Sequence, residues 1–124
     1  MVRLCSLKRR KAIHTLWKQG KRFSDASLTL VVLCQDEETR TMGYVVQVPR
    51  RWIRRSVVRN RLRRLLREAL RAVIREFDRD GVALPFAAVG IAWRAAPHEA
   101  IERVRLWDVL PHVRELLQRA REEC

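Results

Sequence analysis

A chain of 124 residues is long enough for one domain with a modest core, and 48% hydrophobic content is too high for a mostly disordered basic protein. The formal net charge of +13 is uneven: residues 1–75 carry 20 Lys and Arg against 5 Asp and Glu, and residues 76–124 carry 7 against 9. There is no apolar run near the ~20 residues of a membrane span and no signal-peptide core, and three scattered cysteines (Cys5, Cys34, Cys124) fit a reducing cytosol better than a disulfide scaffold.

Residues 1–10 are a basic lead-in with room to be flexible, densest at Lys8-Arg9-Arg10-Lys11. From about Lys11 to Gln19, Ala12, Ile13, Leu16 and Trp17 fall at helical spacing, and Gly20 is a stop. Lys21 to Ala26 reads as a polar connector. Ser27 to Cys34 alternates and then turns wholly apolar, as a buried strand does. After an acidic turn over Gln35 to Thr41, Met42 to Val48 reads as the antiparallel partner of that strand, and Pro49 ends it. Ser56 is placed to cap a helix over about Val57 to Phe77. Val58, Leu62, Leu65, Leu66, Ala69, Leu70, Val73 and Phe77 form its apolar stripe. Asp78 to Gly81 closes it. Phe86 to Trp93 is almost continuously apolar, as a central strand is, and Ala95 to Glu99 connects onward. Asp108 is a cap for a last helix with Pro111 in its first turn and Val113, Leu116, Leu117 and Ala120 on its apolar face. The order α-β-β-(β)-α-β-α predicts a single α+β domain, an α/β sandwich of one mixed sheet covered by helices.

The chemistry lies between Arg50 and Arg71, which hold ten arginines and one carboxylate, Glu68. Like charge at that density costs folding energy that a polyanion would relieve. Arginine forks match phosphate and stack on bases, so nucleic acid is the partner class that fits. No catalytic constellation is visible: Asp36, Glu37 and Glu38 are adjacent on a turn, and His14, His98 and His112 are isolated and read as structural or surface residues.

The run from Arg50 through Arg59-Asn60-Arg61 to Ala69 resembles the signature of the bacterial ribonuclease P protein component, with a basic pair, a basic connector, and Arg-Asn-Arg opening a helix. Weaker matches fall in the same order along nearly the whole chain. The resemblance implies an α-β-β-β-α-β-α sandwich with a left-handed β-α-β crossover, similar to a ribosomal protein domain. It also implies a cytoplasmic bacterial protein that is a subunit of the ribonucleoprotein removing the 5′ leader from precursor tRNA. The RNA subunit carries the catalysis with magnesium, and the protein itself has no catalytic residue and no cofactor of its own. Carried over residue by residue, Arg50, Arg51, Arg54, Arg55, Arg59, Asn60, Arg61, Arg63, Arg64 and Arg67 contact RNA. The leader lies in a cleft between the sheet and the Arg-Asn-Arg helix, where the family places aromatics. Here those positions read Ile13, Trp17, Leu28 and Leu30, with Tyr44 a further candidate. Trp17 and Tyr44 fit a core role as well, and Trp52 in the connector fits either stacking or a surface anchor.

Two other classes compete. A structural RNA-binding protein of the ribosome or its assembly has the same charge and fold class. A DNA-binding module is disfavoured, because no pair of short helices with a tight turn and no dimerising heptads are present.

Overall fold

The computed structural model describes residues 2–37, 40–95 and 101–124. Glu38, which belongs to the acidic turn, and most of the connector after Ala95, including His98, lie outside the described residues. The elements run β1 (Arg3–Ser6), α1 (Arg10–Gln19), β2 (Lys21–Ser24), β3 (Leu28–Cys34), β4 (Thr41–Gln47), α2 (Ser56–Arg79), β5 (Phe86–Trp93), a 3-10 turn (Ile101–Arg103) and α3 (Leu106–Glu123). This is the expected α-β-β-β-α-β-α order with one strand added in front.

The strands form one mixed sheet in the order β1-β4-β5-β3-β2. β5 is central because its residues are apolar on both faces and need cover on both sides. It pairs parallel with β4 (Val45 opposite Gly90) and antiparallel with β3 (Leu30 opposite Ile91). The expected hairpin between β3 and β4 therefore does not form, since β5 inserts between them. β3 instead pairs with β2, whose residues read as a connector in the sequence. Lys21 and Arg22 are exposed there, as suits a strand at the sheet edge. Asp25 closes this hairpin: Oδ1 accepts the N–H of Ser27 and of Leu28, each at 2.8 Å. The lead-in is also partly structured. β1 runs parallel to β4, and the Val2 N–H donates to Asp78 Oδ2 at 2.8 Å.

Two apolar layers cover the sheet. Leu28, Leu30, Val32, Met42, Tyr44, Val89 and Ile91 face α2 and α3, where Leu62, Leu66, Leu70, Val113 and Leu117 complete the main core. On the other face Leu16 of α1 packs on Val31 and Ala88, flanked by Trp17, Leu33 and Val45. Glycine permits α1 to lie this close. A Cβ on Gly90 would stand 3.0 Å from the Trp17 ring and 3.1 Å from Leu16. At Gly20 a Cβ would run into Val31 and the Leu16 carbonyl, so that glycine serves close packing rather than a left-handed turn.

The helix ends differ from the sequence reading in detail. Arg55, not Ser56, is the N-cap of α2, and no side chain caps the first turn. The far end is a Schellman closure: Gly81 has φ 69°, its N–H reaches the Asp78 carbonyl at 3.1 Å, and the Val82 N–H reaches Phe77 at 2.8 Å. In α3 the cap is Arg105, and Asp108 sits one turn in, its carboxylate accepting the Arg105 N–H at 2.8 Å. Pro111 consequently falls inside the helix rather than in its first turn. Cys34 and Cys124 form a disulfide with Cα atoms 5.7 Å apart, against the expectation of free thiols, and Cys5 remains free. No helix among the described residues is long and apolar enough to cross a membrane.

Candidate nucleic-acid interface

The connector between β4 and α2 turns on Pro49, whose carbonyl accepts the N–H of Trp52 at 3.0 Å and of Ile53 at 3.2 Å. Ile53 is buried and pins the turn to the core, which leaves Arg50, Arg51, Arg54 and Arg55 exposed around it. Trp52 is half-buried with the Arg51 guanidinium 5.6 Å from its ring centre, so it is an anchor whose face carries a cation. Its indole N–H is buried without a partner, as is that of Trp17.

The ten RNA-contact candidates fall into two groups. Arg50, Arg51, Arg54, Arg64 and Arg67 are exposed, and among the described residues no carboxylate pairs with them. The others have partners within the fold. Arg59 donates from Nη1 to the carbonyls of Ile53 at 3.1 Å and Arg54 at 2.6 Å, folding the connector back onto the helix start. Arg61 is half-buried and donates to the Val104 carbonyl, tying α2 to the segment before α3. Arg63 donates to Asn60 Oδ1, and Arg55 pairs with Glu102 across two exposed side chains. The forks of these arginines are therefore partly committed. The uncapped first turn of α2, without an acidic residue, adds free N–H groups and the positive end of the helix dipole to the same face.

The cleft candidates separate by face. Leu28, Leu30 and Tyr44 lie on the sheet face covered by α2 and α3, where they are 0%, 1% and 6% exposed and belong to the core. The pocket on that side, about 320 Å³, opens toward α3 beside Leu28, Trp93, Val104 and Val109 and not at the Arg-Asn-Arg segment. Ile13 and Trp17 are half-buried on α1, on the opposite face. A groove of about 370 Å³ does open beside α1, lined by Leu7, Arg9, Lys11, Thr15, Leu33 and Ala88. Alternation over Ser27 to Leu30 puts Leu28 and Leu30 on one buried face, but nothing local says which helix covers that face, and the apolar run after Leu30 removes the contrast. Among the described residues no group of three His, Cys, Asp or Glu is placed to hold a metal ion.

Fold and surface together define a small α+β protein with an arginine-rich face suited to a polyanion. The family model Ribonuclease P matches residues 1–120, and the chain belongs to the ribonuclease P protein family. Membership makes it a component of ribonuclease P, whose partner is an RNA. The fold is similar to that of the RNase P protein from Thermotoga maritima, at 21% identity and TM-score 0.65 over 96% of each chain. The Staphylococcus aureus RNase P protein is also similar, at 13% identity and TM-score 0.59, covering 93% of this chain and 94% of that one. No curated protein matches the sequence.

Proposed function

We propose that this protein is the subunit of a bacterial ribonuclease P that binds the catalytic RNA and helps it remove the 5′ leader from precursor tRNA. What supports this reading most is the family match across residues 1–120, with its Arg-Asn-Arg signature at the start of an arginine-rich helix. Arg50, Arg51, Arg54, Arg64 and Arg67 take RNA phosphates, while Arg59 and Arg61 hold the connector and the helix in the shape that presents them. The single-stranded leader runs along the α1 side of the sheet, where Arg9 and Lys11 border the apolar groove and can meet its phosphates. Magnesium held by the RNA supplies the hydrolytic chemistry. The protein's share is substrate affinity.

Competition binding tests the assignment. The protein should bind ribonuclease P RNA more tightly than ribosomal RNA or duplex DNA at one fixed salt concentration. Equal affinity for all three, or a preference for ribosomal RNA, would overturn it.

A further inference from the structure

The groove between β1 and the second half of α2 lies beyond the Arg-Asn-Arg segment. It has a volume of about 560 Å³ and is lined by Val2, Arg3, Leu4, Arg71, Ile74 and Arg75. Its floor is apolar and its rims are cationic. Arg67, Arg71 and Arg75 follow at four-residue intervals, each exposed, so they rise along one side of the helix by ~6 Å per step. Parallel pairing of β1 with β4 brings Arg3 to the same groove.

Nothing among the described residues uses these charges. Among the described residues, no carboxylate forms an ion pair with Arg3, Arg71 or Arg75. Glu68, three residues before Arg71, is exposed and forms no ion pair with it. Asp78, three residues after Arg75, accepts the Val2 N–H and thereby holds β1 against the helix end. Like charges one turn apart destabilise a helix, so an unneutralised row is a cost unless an anion is bound.

We infer that this groove is a second RNA-backbone site, in which Arg3, Arg71 and Arg75 hold phosphates of an RNA strand continuing from the start of α2. The inference rests on the RNA-binding reading above. Its occupant is the sugar-phosphate backbone, which ribonuclease P RNA and precursor tRNA both offer.

The test compares wild type, Arg71→Gln/Arg75→Gln and Arg64→Gln/Arg67→Gln. Each is titrated with ribonuclease P RNA, and each assembled holoenzyme with precursor tRNA, between 50 and 200 mM salt. Arg71→Gln/Arg75→Gln should weaken one of the two affinities roughly tenfold and make its salt slope shallower by about 2, with unchanged melting. Loss in the first titration assigns the groove to the RNA subunit, and loss in the second to precursor tRNA. Unchanged affinity and slope in both would overturn the second site, while the first stands if Arg64→Gln/Arg67→Gln loses binding. Failure of wild type to prefer ribonuclease P RNA would instead overturn the functional reading. If the double variant melts early, Arg3→Gln, which leaves α2 untouched, decides: the salt slope should become shallower by about 1, and an unchanged affinity and slope would overturn the second site.

Discussion

Arg59 and Arg64 carry the same charge little more than one helical turn apart, yet their surroundings assign them different work. Arg59 bonds two carbonyls of the connector, while Arg64 is exposed and has no such contacts. Arg59→Ala should lower stability by ~1.5–3 kcal/mol, the range for hydrogen bonds that involve a charged group. Arg64→Ala should stay within ~0.5 kcal/mol and weaken RNA binding. Urea unfolding beside an RNA titration separates them, and equal stability losses would contradict the division. Asp25 gives a pH signature at the same scale. Burial pushes its carboxyl up, but the N–H groups of Leu28 and Ser27 and the ring of His112 outweigh that and hold it below the ordinary 3.8. A depressed folded value means the contribution is present above the unfolded value and disappears as pH falls through the lower folded one. The stability gap between wild type and Asp25→Ala should therefore be full near neutrality and close below about pH 4. A gap that persisted at pH 2 would show that the side chain stabilises by some means other than its charge.

At the scale of elements, long-range ties decide what holds. Cys34 and Cys124 are 90 positions apart, so their bond fastens the end of α3 to the end of β3 across most of the chain. Disulfides typically stabilise by about 2–4 kcal/mol, and loop-closure entropy puts one this long at the upper end, roughly 4–5 kcal/mol. Adding reductant, or replacing both cysteines by serine, should lower the urea midpoint accordingly, and an unchanged midpoint would mean that the tie contributes nothing. Gly90 sets how closely α1 approaches. Gly90→Val would press on Trp17 and Leu16 and should cost about 1–3 kcal/mol, read by thermal melting. The helices were legible because they announce themselves locally: Leu62, Leu66 and Leu70 recur at helical spacing, and β5 is apolar throughout. β1, β2 and the disulfide were not. Arg3–Ser6 and Lys21–Ser24 are four-residue edge strands that begin with basic residues, and only their partners β4 and β3 make them strands. The cysteine pair, like the insertion of β5 between β3 and β4, exists only once the chain has closed on itself. The same limit applied to the cleft, since nothing local tells which face of β3 looks toward α1.

At the scale of the whole molecule, the charge has a direction. The excess of arginine begins at the connector, follows α2 and reaches β1, while the last part of the chain carries a small acidic excess. Part of that excess serves the scaffold. Glu76 on α2 takes a bidentate pair from Arg114 on α3, both bonds at 2.9 Å, and this contact holds the Glu76 carboxyl below its ordinary range. Glu76 thus ties α2 to α3, whereas Arg50, Arg51, Arg54, Arg64 and Arg67 in the first half stay open for a partner. Association with RNA should then fall steeply with salt, by on the order of 10³–10⁵ between 50 and 200 mM for 6–10 phosphate contacts. The most direct measurement is reconstitution: the purified protein, ribonuclease P RNA from the same source and a precursor tRNA, at a magnesium concentration too low for the RNA alone. Cleavage of the 5′ leader only when both components are present is the result predicted here. A folded protein that binds the RNA and leaves cleavage unstimulated would contradict it.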